Sequence, residues 1–269
     1  MKVKKDWWKT FFNNTIGQVM FSMPQERTRQ EVQTILKETK LSKGSKILDL
    51  GCGVGRHSIE FAKQGMSVVG LDFSKDYVAE AKKKVKKERL NQQVSIIYGD
   101  MRKINQLFSA GEFDLVVSLF NSFGYFDKRS DDKKVLRGAA HVLKQGGLLV
   151  VNTLNRSGAE RQLIDLPKLQ GKSDVSLGRE PIKNVFMIDK ASYNPKKQRT
   201  LIEWTIVDTR ARKAKIQRQV FSQNVYSQNE FKAMLAPLGL NVMRLWGPLG
   251  GGNFSPKSWH QTFIARKSV

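Results

Sequence analysis

The feature that most limits the possible folds is a short apolar run that ends in three alternating glycines. The run Ile47–Leu50 leads directly into Gly51, Gly53 and Gly55. The pattern predicts a strand that turns tightly into a helix, because glycine adopts backbone conformations that other residues avoid and has no Cβ to keep a ligand away. The dinucleotide pattern G-x-G-x-x-G would need a glycine at Arg56, so this spacing excludes it.

The alternation of apolar runs with helical patterns continues along the chain. Alternating strands and helices imply parallel βαβ units, and we expect an α/β fold with a Rossmann-like, doubly wound sheet of seven strands. The predicted strands are Ile47–Leu50, Val68–Leu71, Val94–Tyr98, Leu115–Phe120, Leu148–Thr153, Leu240–Leu245 and Thr262–Ala265. The predicted helices are Gln25–Thr39, Arg56–Gln64, Asp76–Arg89 and Asp131–Leu143, and a fifth begins at the capping box Ser227-x-x-Glu230.

An insertion is expected after the fifth strand, where the rhythm breaks. Three strands are predicted at Asn184–Tyr193, Arg199–Asp208 and Ala214–Tyr226, with turns between them. They indicate an antiparallel meander. The chain then divides into an aromatic and basic N-terminal segment (1–24), a core (25–154), the antiparallel insertion (155–226) and a C-terminal part of the core (227–269).

Composition limits the class of protein. The apolar content of 40% suffices for a core, and no apolar run is long enough to cross a bilayer. The apolar stretch after the basic start is cut short at Lys9, so we expect a cytoplasmic protein without a signal peptide or membrane contact. The single cysteine, Cys52, excludes an internal disulfide and a cysteine-rich metal centre, and three dispersed histidines do not suggest a metal site.

The chain is strongly basic, with 47 Lys and Arg against 24 Asp and Glu and a formal net charge of +23. Such a field attracts polyanions, RNA among them. Trp7, Trp8 and Trp204 lie among basic residues and could stack on bases, although Trp7 and Trp8 could equally pack against the insertion. Because the charge is spread along the chain, a well-solvated surface is the alternative explanation.

Two carboxylates follow the second and third predicted strands. Asp72 could accept hydrogen bonds from both hydroxyls of a ribose. Asp100 could accept from an adenine amino group, and the backbone N–H of Met101 could donate to the ring. The carboxyl ends of parallel strands meet at one edge of a sheet, so these residues and the glycine turn predict a single site for an adenosine-containing ligand.

The series ILDLGCGVG…LDFS…GDM…FDLVVSLFNSFGYF…LKQGGLLVV resembles the motifs of class I S-adenosylmethionine-dependent methyltransferases. The resemblance covers about Arg27 to Thr153 and the last helix and strands, and it implies S-adenosylmethionine as the cofactor. It implies that the core (25–154) binds the cofactor and that Cys52 is not a nucleophile. The cofactor-binding residues that it implies are Gly51, Cys52, Gly53, Asp72, Phe73, Asp100, Met101, Leu119 and Arg27.

The methyl acceptor is less constrained, because an in-line methyl transfer needs alignment and dehydration rather than one catalytic residue type. The segment Leu119–Phe126 lacks the Asn-Pro-Pro-aromatic motif of methylases that act on base amino groups. It resembles small-molecule N- and O-methyltransferases, including amino-sugar enzymes, in which an antiparallel insertion forms a lid. We therefore expect a small-molecule acceptor; the basic insertion would suit an acidic or phosphorylated one. RNA methylation is the alternative.

Several polar residues are candidates for contact with the acceptor. Tyr125 and Asn121, in the fourth motif, are the candidate catalytic residues, and Tyr125 could orient or deprotonate an amine. His57 is expected to be structural. The insertion could instead serve as a dimerisation surface, so a monomer and a homodimer both stay open. Further candidates are Tyr193, Glu203, Arg218 and Tyr226.

Overall fold

The computed structural model describes residues 3–170 and 175–269. The first two residues of the predicted N-terminal segment, and residues 171–174 of the predicted insertion, lie outside the described residues. Within the described ranges the chain forms one large mixed sheet flanked by helices and one smaller antiparallel sheet.

The large sheet confirms the predicted Rossmann-like arrangement. Its strands are β1 (Lys46–Leu50), β2 (Ser67–Asp72), β3 (Val94–Tyr98), β4 (Phe113–Ser118), β5 (Leu143–Leu154), β10 (Leu240–Trp246) and β11 (His260–Lys267). They have the spatial order β10-β11-β5-β4-β1-β2-β3. Neighbours from β5 through β3 are parallel, whereas β11 runs antiparallel to β5 and β10 antiparallel to β11.

Helices cover both faces of this sheet, as the doubly wound prediction requires. Successive residues of a strand point to opposite faces, and in β1 Ile47 and Leu48 belong to two separate buried clusters. The cluster around Ile47 includes side chains from α3 (Gln25–Thr39), α4 (Arg56–Lys63) and α5 (Lys75–Lys87). The cluster around Leu48 includes α1 (Trp8–Phe11), α2 (Asn14–Met20), α6 (Ile104–Leu107), α7 (Arg129–Val142) and α10 (Gln228–Leu235).

The smaller sheet contains the three predicted strands of the insertion and one more. Its order is β6-β7-β8-β9, with every neighbouring pair antiparallel. The expectation of three strands was wrong because β6 is mostly exposed and contains Gly178 and Pro181, which weaken a strand pattern. The strands are β6 (Val175–Ile182), β7 (Val185–Asn194), β8 (Arg199–Asp208) and β9 (Lys215–Asn224); α8 (Arg156–Glu160), a π-helical turn (Arg161–Asp165) and α9 (Leu166–Leu169) precede them.

A buried polar joint attaches the insertion to the core. Asp132 of α7 is fully buried, and its Oδ2 accepts hydrogen bonds from the Asn224 amide and the Tyr226 hydroxyl, both at 2.6 Å. Burial raises the pKa of Asp132 to about 6, because desolvation disfavours the carboxylate more than these donors favour it. The joint lies where the insertion returns to the core, at the parallel bridge between Asn155 and Tyr226.

Candidate functional site

The glycine turn lies at the carboxyl end of β1 and is held against β2. The backbone N–H groups of Gly51 and Cys52 donate to the Leu71 carbonyl at 2.8 and 3.1 Å. Gly51 and Gly53 have φ of +71° and +57°, which side chains rarely tolerate. A Cβ at Gly53 would lie 2.7 Å from the Phe21 ring. Glycine is therefore required here for both its conformation and its size.

Asp72, at the end of β2, is bound to the glycine turn itself. Its Oδ2 accepts from the Gly53 N–H and its Oδ1 from the Ser74 N–H, both at 2.8 Å. Burial raises the pKa of this carboxyl, and the backbone donors oppose that rise. Each carboxylate oxygen can accept a further hydrogen bond, so Asp72 can support the turn and bind a ligand hydroxyl at once.

Asp100 follows β3 and forms an ion pair with Arg102. The distance from its Oδ2 to Nη2 of Arg102 is 2.6 Å. The Arg102 guanidinium lies over the rings of Trp8 and Phe126, at 5.1 and 4.6 Å from their centroids. Asp100 thus connects the end of β3 to the aromatic N-terminal segment.

One cavity brings these three strand ends together. Aromatic residues of the N-terminal segment, Trp8, Phe12 and Phe21, lie along it, as does Tyr125. Of the nine predicted cofactor residues, eight line this first cavity, and Arg27 does not. The eight are Gly51, Cys52, Gly53, Asp72, Phe73, Asp100, Met101 and Leu119.

Arg56, rather than the predicted Arg27, is the arginine that lines the first cavity. The Arg27 side chain is 54% exposed and pairs with Glu31 at 3.0 Å. Arg56, in contrast, lines the first cavity, is 13% exposed and pairs with Glu31 at 2.7 Å. Its Nη2 is buried and has no hydrogen-bond partner in the described residues. The signal available in the sequence was its position as the first residue of the helix after the glycine turn.

Glu31 holds this corner of the site together. It is buried, and its Oε2 lies 2.9 Å from Nε2 of His57. Burial alone would raise its pKa, but His57 and Arg56 outweigh burial and lower it to about 2. Burial lowers the pKa of His57 to about 4, so the ring is neutral near pH 7. His57 also lines the first cavity, and its structural role stays a prediction.

A second, larger cavity of about 1160 Å³ lies between the fourth motif and the insertion. Ligand sites commonly measure roughly 300–1,000 Å³, so a metabolite-sized molecule would fit. Met20, Phe120 and Tyr125 line both cavities, and the two therefore meet at these residues. The insertion contributes Arg161, Leu163, Leu177, Arg179, Asp189, Ile202, Trp204 and Phe221 to the lining.

Asn121 and Tyr125 both line the second cavity. Asn121 follows Phe120, and both have positive φ, +60° and +53°, a conformation that costs energy in residues with side chains. The Asn121 amide nitrogen lies 3.0 Å from Nε2 of His260, and its Oδ1 is buried with no partner among the described residues. Burial raises the pKa of Tyr125, so its hydroxyl stays protonated near pH 7.

The four further candidates for contact with the methyl acceptor do not line either cavity. Tyr193 is buried against Glu160, and Glu203 and Arg218 lie on the outer face of the insertion. Tyr226 is fully buried and donates to Asp132. A contact between Tyr226 and the acceptor is therefore not supported, because its hydroxyl already donates a hydrogen bond to Asp132.

The three tryptophans considered for base stacking are packed within the protein. Trp7 and Trp8 are buried. The ring centroids of Trp7 and Trp204 lie 5.6 and 5.0 Å from that of Phe221 in the insertion. The described residues contain no group of three or more His, Cys, Asp or Glu side chains suited to a metal ion. Among the described helices none is both long and apolar enough to cross a membrane.

Comparisons with known proteins agree with this architecture. Residues 47–147 match the family described as "Methyltransferase domain". A putative methyltransferase of Bacillus subtilis, YqeM, is 34% identical over 42% of this chain, and the match spans 44% of that protein's length. The chain thus spans less than half of this relative.

Two further proteins are similar over most of the chain. The dTDP-3-amino-3,4,6-trideoxy-alpha-D-glucopyranose N,N-dimethyltransferase of Streptomyces venezuelae is 26% identical, with 81% of this chain and 85% of that protein covered. The structure of the CcbJ methyltransferase from Streptomyces caelestis superposes with a TM-score of 0.79 at 18% identity, covering 97% of this chain and 99% of that one. Residues 47–147 thus match a methyltransferase domain, and the chain as a whole shares the fold of the CcbJ methyltransferase.

Proposed function

We propose that this chain transfers a methyl group from S-adenosylmethionine to nitrogen or oxygen of a small-molecule acceptor. The observation that carries the proposal is the meeting of two cavities at Met20, Phe120 and Tyr125. The first contains the residues expected for the cofactor, and the second is large enough for a metabolite. Methyl transfer needs the two reactants in line and away from water, and adjoining cavities provide that arrangement.

The residues of the first cavity suit the cofactor. The backbone at Gly51 and Gly53 leaves room that a Cβ would fill, and the unpartnered Nη2 of Arg56 suits a carboxylate such as that of a methionine group. Asp72 retains acceptor capacity for ribose hydroxyls, and Asp100 and Met101, which line the same cavity, are our candidates for contact with adenine. S-adenosylmethionine supplies an electrophilic methyl group when bound.

The residues of the fourth motif would orient the acceptor. The unpartnered Oδ1 of Asn121 can accept a hydrogen bond from an amino or hydroxyl group. Tyr125, which is protonated, can donate or accept a hydrogen bond but is not a base near pH 7. We therefore assign both residues to alignment, and a neutral amine needs no further activation to attack a sulfonium methyl.

The charge of the second cavity favours an acceptor that carries an anionic group. Arg161, Arg179 and Lys257 line this cavity, and Asp189 is its acidic residue among those described. Guanidinium and ammonium groups bind phosphate and carboxylate. The relative from Streptomyces venezuelae, named for N,N-dimethylation of a dTDP-linked amino sugar, would have such an acceptor, which supports N-methylation of an anionic metabolite.

Methylation of RNA is favoured only by the net charge. Trp7 and Trp8 are buried, and Trp204 faces the second cavity, so these three residues do not offer a surface for base stacking. A cytoplasmic location and a monomeric or dimeric state stay predictions.

Labelled cofactor provides the direct test. The chain is incubated with methyl-labelled S-adenosylmethionine and either a low-molecular-weight cell extract or total RNA. We expect label in a small-molecule product. Label in RNA without any labelled small molecule would overturn the proposal. The Gly53→Trp variant, whose side chain would fill the first cavity, is the inactive control.

A further inference from the structure

Asp189, on the inner face of the insertion, is a carboxylate with apolar neighbours on both adjacent strands. Asp189 of β7 lies directly between Leu177 of β6 and Trp204 of β8 in the strand register. Residues paired across antiparallel strands point to the same face, and all three line the second cavity. The carboxylate is therefore presented to the cavity beside an indole ring.

Only half of this carboxylate is satisfied by the described residues. Oδ2 accepts a hydrogen bond from Nε of Arg179 at 3.2 Å, whereas Oδ1 is buried and has no partner in the described part of the chain. A buried carboxylate oxygen without a donor is unfavourable. Burial raises the pKa of Asp189, and the Arg179 guanidinium opposes that rise. The Asp189 side chain is 22% exposed, so a positively charged donor on a ligand in the cavity can approach the carboxylate.

The neighbouring aromatic residues also favour a cation. The centroid of the Trp204 ring lies 5.7 Å from that of Phe11 and 5.0 Å from that of Phe221, so the three rings form a continuous wall of the cavity. The face of an indole ring attracts an ammonium group, and more strongly when both are removed from water. A neutral hydroxyl could donate to the carboxylate, but it would gain neither the attraction of the ring nor that of an ion pair.

We propose that Asp189 and Trp204 form a subsite that binds a protonated amino group of the methyl acceptor. The inference rests on the proposed function in that the acceptor occupies the second cavity. Asp189 does not line the first cavity, so it is a positioning residue that selects the acceptor rather than a group at the reacting atoms. The acceptor class is thus an amine that also carries an anionic group for the lining cations.

A pair of probes of nearly equal shape tests the subsite without knowledge of the natural acceptor. Benzylamine is protonated at neutral pH, whereas benzyl alcohol is neutral. Binding of each is measured by calorimetry and by ligand-observed NMR in the presence of S-adenosylhomocysteine. We expect the wild-type chain to bind benzylamine about 10-fold or more tightly than benzyl alcohol, the usual gain of a charge-assisted pair.

Two variants assign this preference to Asp189. Asp189→Asn should abolish the preference for benzylamine, and Asp189→Glu should retain part of it. Asp208→Asn, which removes a carboxylate of the same insertion that is paired with Arg210, should leave the preference unchanged. Equal binding of the two probes to the wild type, no detectable binding of benzylamine, or an unchanged preference in Asp189→Asn would overturn the inference.

The same variants separate this inference from the proposed function. The affinity for S-adenosylhomocysteine should be equal in the wild type and in Asp189→Asn, which also shows that the variant is folded. With an amine acceptor, Asp189→Asn should raise KM about 10–100-fold and change kcat little. If methyl transfer to small molecules does not depend on Asp189, the proposed function is supported and the subsite proposal is overturned. Absence of methyl transfer, together with an amine preference that depends on Asp189, would support the subsite and overturn the proposed function.

Discussion

The hydrogen bonds of Asp72 allow a prediction about cofactor affinity. Its two oxygens accept from the backbone N–H groups of Gly53 and Ser74. We propose that the same oxygens accept from ribose hydroxyls when the cofactor is bound. Replacement by alanine therefore removes both the ligand contacts and the support of the glycine turn.

The magnitude follows from the kind of bond that is lost. A hydrogen bond to a charged group contributes about 1.5–3 kcal/mol, and the water that replaces the carboxylate recovers part of it. We expect Asp72→Ala to weaken binding of S-adenosylmethionine by about 1–3 kcal/mol, which corresponds to a dissociation constant roughly 5–150-fold higher. The loss of the two backbone contacts should also lower the free energy of unfolding.

Isothermal calorimetry with S-adenosylmethionine measures the affinity, and urea unfolding measures the stability. Asp76→Asn is the matched control, because Asp76 is an exposed carboxylate on the first turn of the next helix. An unchanged dissociation constant in Asp72→Ala would refute the ribose assignment. A loss of stability without a loss of affinity would show that Asp72 serves the turn alone.

Three further predictions concern other positions. Gly53→Ala should raise the dissociation constant for S-adenosylmethionine about 10-fold, because its Cβ would lie 2.7 Å from the Phe21 ring at a φ of +57°; calorimetry checks this, and unaltered affinity would contradict it. Arg56→Met should weaken binding of S-adenosylmethionine but not of adenosine, which lacks the carboxylate; equal weakening of both would point to a disturbed fold. Asp132→Asn should remove a pH dependence. In the folded protein the pKa of the Asp132 carboxyl is about 6, raised from 3.8. Its deprotonation therefore destabilises the folded wild type as the pH rises through this interval. The variant should gain up to about 3 kcal/mol relative to the wild type between pH 4 and pH 7 in urea unfolding, and a constant difference would exclude this role.

The parts of the fold that follow local patterns were predictable. Helix Gln25–Thr39 and strand Val94–Tyr98 have the predicted bounds, because each combines a clear periodicity with a turn at its end. The glycine turn, Asp72 and Asp100 were predictable as one site because parallel strands place their carboxyl ends together. Their common cavity agrees with that prediction.

The remaining site residues depend on contacts that no local pattern encodes. Asp189 faces the second cavity because of its register with Leu177 and Trp204, and β6 was not predicted at all. Tyr226 was one candidate for contact with the acceptor, but its hydroxyl donates to Asp132, which is 94 residues away in the chain. Arg56 and Arg27 both pair with Glu31, and it is their different burial in the fold that shows which of the two lines the first cavity.

The N-terminal segment has a consequence for the order of binding. Phe12 and Phe21 lie along the first cavity, while Phe11, from the same short segment, lines the second and packs on Trp204. One short segment therefore forms part of the wall of both cavities, so a change in its position would alter both. We expect the cofactor and the acceptor to influence each other's affinity, and calorimetry with and without the first ligand would measure this coupling.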